Sequence, residues 1–282
     1  MSTWDNGQRP APRPLSGMDW VRVIARGSVL GAVTFGGLAV LLLLRVIERP
    51  IFGAHRPITP YITQGVCKAA FVILGMGRAV HGAPMPAHGA IVANHASWLD
   101  IFALNASKRI YFVSKAEVAG WPGIGWLARA TGTVFIARRA ADAKAQQKVF
   151  EDRLTAGHKL LFFPEGTSTD GLRVLTFKST LFAAFFSDGM PADMAVQPVS
   201  VSYHSGEPEE PSFYGWWGDM DFGAHLLKVL AARRQGRVIV RYHAPIPLSD
   251  VASRKELAAR CEREVRAGLV QDGVNAAALS EP

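Results

Sequence analysis

Residues 94–100 read NHASWLD, a histidine and an aspartate five positions apart in an otherwise uncharged run. An imidazole held in one tautomer by a carboxylate can take a proton from a hydroxyl. In one continuous helix, residues five apart point about 140° away from each other, so a helix throughout would not pair them. Ser97 followed three residues later by Asp100, however, has the form of a capping box, with Ser97 as N-cap and Asp100 in the first turn. His95 then lies on the loop between an apolar strand and the helix, within reach of a carboxylate that folds back. No G-x-S-x-G elbow supplies a protein nucleophile, so the attacking hydroxyl would be the substrate's own. The plainer alternative is that Asp100 only caps a helix and His95 only ends a strand, and these residues alone leave both readings open.

A second polar cluster follows at 162–171, FFPEGTSTDG. An apolar strand ends at Pro164 and gives way to Glu165, Gly166, Thr167, Ser168 and Thr169, the kind of loop on which sheet proteins place ligand-contacting groups. Glu165 has the chemistry to accept a hydrogen bond from a ligand hydroxyl, and the backbone at Gly166 can approach a ligand closely; an ordinary Pro/Gly turn is the rival reading. In VFIARR a strand delivers Arg138 and Arg139 to its C-terminal end, where two guanidiniums can clamp a phosphate or carboxylate. Surface arginines at a helix start are common, so this pair alone decides nothing. VQPVSVSY reads as a structural buried strand whose inner proline marks an edge or a bulge.

The elements that must position these groups are legible from pattern. Apolar runs at 90–94, 109–114, 133–138, 159–164, 195–203 and 237–243 alternate with helical stretches at about 98–107, 121–130, 140–156, 178–187, 221–235 and 250–270. Such alternation predicts an α/β fold, a mixed, mostly central sheet flanked by helices. Upstream, residues 27–44 carry no charge and are closed by Arg26 and Arg45. Eighteen residues rise roughly 27 Å, near the thickness of a bilayer's hydrocarbon core, so an N-terminal membrane helix is expected. A signal peptide is disfavoured, because its apolar core is normally shorter and no small-residue cleavage site follows Leu44. A second apolar stretch at 69–77 is too short to span and is expected in the interface or as a re-entrant partner. The resulting division is a loose tail at 1–26, a membrane-anchoring part at 27–80 and a globular domain at 81–282.

Composition narrows the partners. The chain has 282 residues, 49% of them hydrophobic, with a net charge of +8 and a pI near 9.8, which favours an anionic partner. Nucleic acid is disfavoured, since the arginines are not interleaved with aromatics in a binding motif and a membrane segment precedes the domain. Cys67 and Cys261 offer at most one bridge and no zinc-like spacing. The eight histidines are scattered, so no metal is expected. Neither G-x-G-x-x-G nor G-x-x-x-x-G-K-[ST] occurs.

Taken in order, NHASWLD, FIARR, FPEGTS and VQPVSV, spread over residues 94–201, resemble the four blocks of the glycerolipid acyltransferase family, whose best-known members are the 1-acylglycerol-3-phosphate acyltransferases. The resemblance implies that His95 is the general base on the acceptor hydroxyl and that Asp100 orients it. The alkoxide would then attack an acyl thioester of acyl carrier protein or coenzyme A, with no other cofactor. Glu165, Gly166, Thr167 and Ser168 match the block that positions the acceptor, and Arg138 or Arg139 the block that holds its anionic head. A base of this kind implies loss of activity in acid, once the imidazole is protonated. Phosphate-specific members usually follow E-G-T with arginine, whereas this chain has Ser168 and its next arginine is Arg173. Losing a charged bidentate contact weakens phosphate binding by about 1.5 to 3 kcal/mol. Together with GWWGDMDFGAHLL at 215–227, the run at 165–182 resembles the bacterial branch that acylates lyso-ornithine lipid, with lysophosphatidate as the alternative acceptor. The expected setting is the bacterial inner membrane, with the catalytic domain on the cytoplasmic face.

Overall fold

The structure is a computed structural model, which describes residues 4–5, 7, 14–136, 143–187, 190, 193–206 and 209–274. Among the described residues eight strands form one sheet: β1 (Gly77–His81), β2 (Gly89–Ala93), β3 (Tyr111–Lys115), β4 (Val134–Ile136), β5 (Leu160–Phe162), β6 (Ala195–His204), β7 (Arg237–Tyr242) and β8 (Ile246–Pro247). Their order is β1-β7-β6-β2-β5-β3-β4, with β8 beside β6. β2 is parallel to both β5 and β6, while β6 meets β7 and β8 antiparallel. β2 and β5 are buried throughout, as expected for unbroken apolar runs in a sheet covered on both faces. Because they are neighbours running the same way, the loops that leave their C-terminal ends, 94–98 and 163–169, emerge side by side.

Helices cover both faces. On one side lie α1 (Gly17–Phe52), α2 (Thr59–Leu74), α3 (Leu99–Ser107) and α6 (Phe222–Ala231), packed on Ile91, Ala93, Leu161 and Val201. On the other, α5 (Ala143–Thr155), a 3-10 helix at Ser179–Phe186 and α7 (Arg254–Gln271) enclose Ala90, Val92, Leu160 and Phe162. Cys67 belongs to the first core and Cys261 to the second, and both are free. The sheet separates them, so the single possible bridge does not form.

The anchor differs from the sequence expectation at both ends. α1 begins at Gly17, capped by a Ser16–Asp19 capping box, so residues 17–26 are helix rather than tail. Arg22 and Arg26 interrupt the hydropathy there, yet they bend back to the last carbonyls of α6: Nε of Arg22 to Ala231 (2.8 Å), and Arg26 to Leu230 (2.9 Å) and Ala232 (2.6 Å). At the far end Glu48 is buried and accepts from the N–H groups of Ile58 (2.7 Å) and Thr59 (3.0 Å), capping α2 from outside its own sequence. Residues 69–74 of the apolar stretch expected at 69–77 end α2, with Cys67, Ala70, Phe71 and Leu74 of that helix buried and the helix packed against α1 and α3. Residues 77–80 belong to β1 and therefore to the sheet. Among the described residues α1 alone is long and apolar enough to cross a membrane, with a mean hydropathy of 2.2 over its most apolar window.

Two smaller expectations also shift. The segment at 178–187 winds as a 3-10 helix, and residues 116–120 form a 3-10 turn before α4 (Ile124–Thr131). Pro198 is not on an edge strand: β6 is central, and Pro198 falls where its partner changes from β8 to β7. Its missing N–H therefore costs no ladder bond, while its carbonyl still accepts from His243 (3.0 Å).

Candidate active site

β2 is followed directly by Asn94, whose side chain continues the ladder after the strand stops. Its amide donates to the carbonyl of Val201 (2.9 Å) and its oxygen accepts the Val201 N–H (2.8 Å). The chain is thus pinned to β6 one residue before His95. There Nδ1 of His95 lies 2.7 Å from Oδ2 of Asp100. The same oxygen accepts the N–H groups of Ala96 (2.8 Å) and Ser97 (3.0 Å), and Oδ1 accepts the hydroxyl of Tyr203 (2.6 Å). The helix start is one residue later than the sequence implies: Trp98 stands at the cap of α3, and Ser97 Oγ accepts from Leu99 (3.3 Å). Asp100 closes the reciprocal arm of the box by accepting from Ser97, and the same fold-back delivers it to His95. The two alternatives in the sequence, cap and pair, are one structure.

A carboxylate that only accepts requires the proton on Nδ1 and leaves Nε2 as the basic edge. The rest of the residue is fixed. The ring stacks on Phe163 at 4.0 Å and 10°, the backbone N–H donates to Glu165 Oε1 (2.6 Å), and the carbonyl accepts from the Thr169 N–H (2.9 Å). Asp100 is fully buried, whereas the imidazole side chain keeps 20% of its surface exposed. Burial and the neighbouring charge of Asp100 raise the pKa of Tyr203 well above that of an ordinary phenol, which keeps it a donor.

The second loop serves the first. Glu165 is buried, with Oε1 on His95 and Oε2 accepting the Leu175 N–H (2.7 Å). The sequence suggested a group facing a ligand hydroxyl. Both oxygens instead face main chain, so Glu165 braces the His95 loop against residue 175. Burial pushes its pKa up to about 8, with the charge of Asp100 adding to the rise and the two backbone N–H groups opposing it. Gly166 has φ +71°, a turn conformation that favours glycine, and the Lys178 ammonium packs on it, 2.7 Å from where a Cβ would stand. Thr167 and Ser168 are half-buried on the same loop. Arg173 points at Asp170, 3.1 Å away. Arg138 and Arg139 fall outside the described residues, two and three positions past the end of β4.

Three further features complete the site: Tyr203 and Lys178, which have no role in the reading of the sequence, and the stretch 215–225, marked there only through the branch resemblance. Tyr203 is five residues beyond the proline of its block, on the face of β6 it shares with Val199 and Val201. Lys178 becomes a neighbour of Gly166 only through the turn. The stretch 215–225 covers both loops: Trp216 donates its N–H to Ala96 (2.8 Å), and Trp98 donates its indole N–H to Nδ1 of His225 (2.9 Å). Gly215 packs so closely on Asp170 that a Cβ would meet its backbone at 2.5 Å. Beside this platform lies an apolar cavity of about 440 Å³ between α1, α2, α3, α4 and α6, with Trp98, Phe102, Phe112, Leu127 and Leu226 among its walls. Phe112 stacks on Phe163 at 6.0 Å, and Phe163 on His95, so two aromatic layers connect cavity and base. Among the described residues no group of three or more His, Cys, Asp or Glu is placed to hold a metal ion.

An oriented imidazole with a free basic edge, beside a chain-sized apolar cavity, suits deprotonation of a hydroxyl on an amphiphile. The comparisons agree with that chemistry. An Acyltransferase family model matches residues 78–202, which include every block described above. The lyso-ornithine lipid O-acyltransferase of Rhodobacter capsulatus is 55% identical to the chain, over 95% of it and 97% of the relative.

The chain belongs to the glycerolipid acyltransferase family.

As a member of that family it is an acyltransferase. It is also 30% identical to the 1-acyl-sn-glycerol-3-phosphate acyltransferase of Neisseria gonorrhoeae, over 73% of this chain and 79% of that one. In fold it matches the crystal structure of the 1-acyl-sn-glycerophosphate acyltransferase PlsC from Thermotoga maritima. That match has a TM-score of 0.63 at 20% identity and covers 91% of this chain and 98% of the other. Three of the four blocks thus lie here on the adjacent strands β5, β2 and β6, and the fourth begins on β4, at the edge of the sheet.

Proposed function

We propose that this acyltransferase moves a fatty acyl group from a thioester of acyl carrier protein or coenzyme A to the free hydroxyl of lyso-ornithine lipid. The observation that carries the reading is the His95–Asp100 pair, whose outer nitrogen is left open while every other part of the ring is fixed. His95 takes the acceptor's proton through Nε2, and Asp100 stabilises the imidazolium that forms. The alkoxide attacks the thioester carbonyl; the C–S bond breaks and the thiolate leaves, taking back a proton from His95. The cavity of about 440 Å³ shelters an acyl chain during transfer.

The acceptor reading is supported by the 55% identity to a lyso-ornithine lipid O-acyltransferase and by Ser168, where phosphate-specific relatives are expected to carry arginine. Thr167 and Ser168 contact the acceptor, Gly166 lets the loop approach it, and Arg138 or Arg139 holds its carboxylate. The basic surface suits an acidic carrier protein and anionic lipid, with the catalytic domain on the cytoplasmic face of the inner membrane. The test offers the purified enzyme lyso-ornithine lipid and lysophosphatidate side by side with one acyl donor. A clear preference for lysophosphatidate overturns the acceptor, and undiminished transfer by His95→Ala overturns the base.

A further inference from the structure

α3 turns one face to the apolar cavity. Trp98 at its cap, then Ile101, Phe102 and Asn105, all line that space, and steps of three, four and seven residues bring side chains above one another on a single side of a helix. Three of these positions are apolar, and the fourth is an amide. Asn105 is 5% exposed, and among the described residues its side chain has no hydrogen-bond partner, although an asparagine carries two donors and an acceptor.

The amide is not walled in. The polar side-chain atoms that are enclosed without a partner, among the described residues, are ring nitrogens of His158, His204, His225 and Trp217 and the ammonium of Lys228. Asn105 stands apart from them: its oxygen and nitrogen border open space, and the space on its face of α3 is the cavity of about 440 Å³. Other polar side chains in the wall do not complete it. Hydroxyl rotors can turn back onto the main chain, as that of Thr131 does to the carbonyls of Leu127 (2.8 Å) and Ala128 (3.2 Å), whereas Asn105 makes no such bond to its own helix. A polar group kept unpaired in an apolar wall is destabilising unless a ligand completes it, which makes this amide a pointer to what the cavity holds.

Place and chemistry narrow that ligand. α3 starts at the His95 loop and runs away from it, and the seven residues from Trp98 to Asn105 rise roughly 10 Å. The amide therefore meets a chain well beyond the carbon at which acyl transfer occurs. A group that both accepts from an amide N–H and donates to an amide oxygen, on a hydrocarbon chain, is a hydroxyl. An ether or ketone only accepts, and a charged group would enter a chamber in which none of the lining residues is charged.

We propose that Asn105 recognises a hydroxyl on the acyl chain held in the cavity, so that the enzyme takes hydroxylated acyl groups from its thioester donor. The inference rests on the reading above that this cavity shelters the donor's chain, and it names the class of that chain. The acceptor's reacting hydroxyl is a different one, since it must lie at Nε2 of His95.

The test uses the full chain, one lysolipid acceptor, a plain saturated acyl thioester, and thioesters of the same length and carrier with a single hydroxyl at successive positions. Asn105→Leu keeps the branched end of the side chain and removes its polar atoms. Wild type is expected to transfer a chain hydroxylated at one distal position at least as well as the plain chain. Asn105→Leu should lose about tenfold of that hydroxylated-to-plain ratio of kcat/KM, at that position alone. Its melting temperature should equal or exceed that of wild type, because an amide without a partner gives way to an apolar group of similar shape. An unchanged ratio at every position overturns the proposal, and so does a melting temperature several degrees lower, which would mean that the amide is bonded within the fold. Ala128→Trp, on α4, separates this failure from failure of the reading beneath it. If it depresses transfer of long chains while Asn105→Leu leaves every ratio unchanged, the donor's chain occupies the cavity and Asn105 does not read it. If neither variant responds to the donor's chain, the cavity does not hold it and both readings fall.

Discussion

Oδ2 of Asp100 is shared by the imidazole of His95 at 2.7 Å and by the backbone N–H groups of Ala96 and Ser97 at 2.8 and 3.0 Å. One oxygen therefore sets the tautomer of the base and the path of the loop that carries it. Asp100→Asn keeps an oxygen for these donors and a group for Tyr203, but it removes the charge that stabilises the imidazolium. We expect kcat to fall on the order of 10³ to 10⁴-fold with a melting temperature close to that of wild type. Steady-state kinetics beside a thermal melt check this, and near-normal turnover would exclude Asp100 from the chemistry.

Tyr203 reaches the other oxygen of the same carboxylate at 2.6 Å. Tyr203→Phe strips a buried charge of one hydrogen bond, a loss of about 1 to 3 kcal/mol. Turnover should drop about tenfold or more with KM for the acceptor little changed, since the phenol positions Asp100 and touches no substrate. A rise in KM alone would place Tyr203 in acceptor binding instead.

Ala128 lines the cavity on α4. Ala128→Trp fills much of that space without touching His95, so transfer of long acyl chains should fall more than transfer of short ones. A series of acyl donors of increasing length reads this directly, and equal loss across the series would mean that the chain lies elsewhere.

Ser168 stands where a phosphate-binding arginine is expected in relatives with phosphate-headed acceptors. Ser168→Arg should raise the ratio of kcat/KM for lysophosphatidate over lyso-ornithine lipid by about tenfold, as one charged hydrogen bond allows. An unaltered ratio removes Ser168 from acceptor choice.

His225 holds Trp98 through a lone pair on Nδ1. Burial and then the charge of Lys228 bring its pKa down from 6.5 to about 4, against the pull of nearby carbonyls. The unfolded chain therefore takes up a proton between pH 6.5 and 4 that the folded chain refuses, so stability is lost as pH falls through that window, by at most about 3 kcal/mol. His225→Asn retains an oxygen for the Trp98 indole. Its melting temperature should fall less between pH 6.5 and 4 than that of wild type, and parallel curves would contradict the linkage.

The sequence showed most of the chemistry because that chemistry is local. His95 and Asp100 lie five positions apart and the 165–168 run is a single loop, so spacing put them forward as candidates, while their roles came from the resemblance to the family's blocks. What it concealed depends on chain-distant contacts. Tyr203 joins Asp100 across 103 positions, and Trp98 meets His225 across 127. Glu165 illustrates the reverse error: a carboxylate on a polar loop after a strand looked exposed, and only packing turned both of its oxygens inward. The beginning of α1 was misread for a related reason. Arg22 and Arg26 broke an apolar pattern, whereas in the fold they are the ligands of another helix's last turn.

Those two arginines fasten one end of α1 to α6 while Glu48 fastens the other to α2, and between them α1 forms one side of the acyl cavity. The anchor is therefore not a tether that can be trimmed to obtain a soluble enzyme. Cutting it away would unroof the chamber and flood it with water, and a truncated protein that still folded would have lost its means of measuring a fatty acid. On the function proposed above, the helix that carries the apolar span is also a wall of the chamber that sizes the substrate.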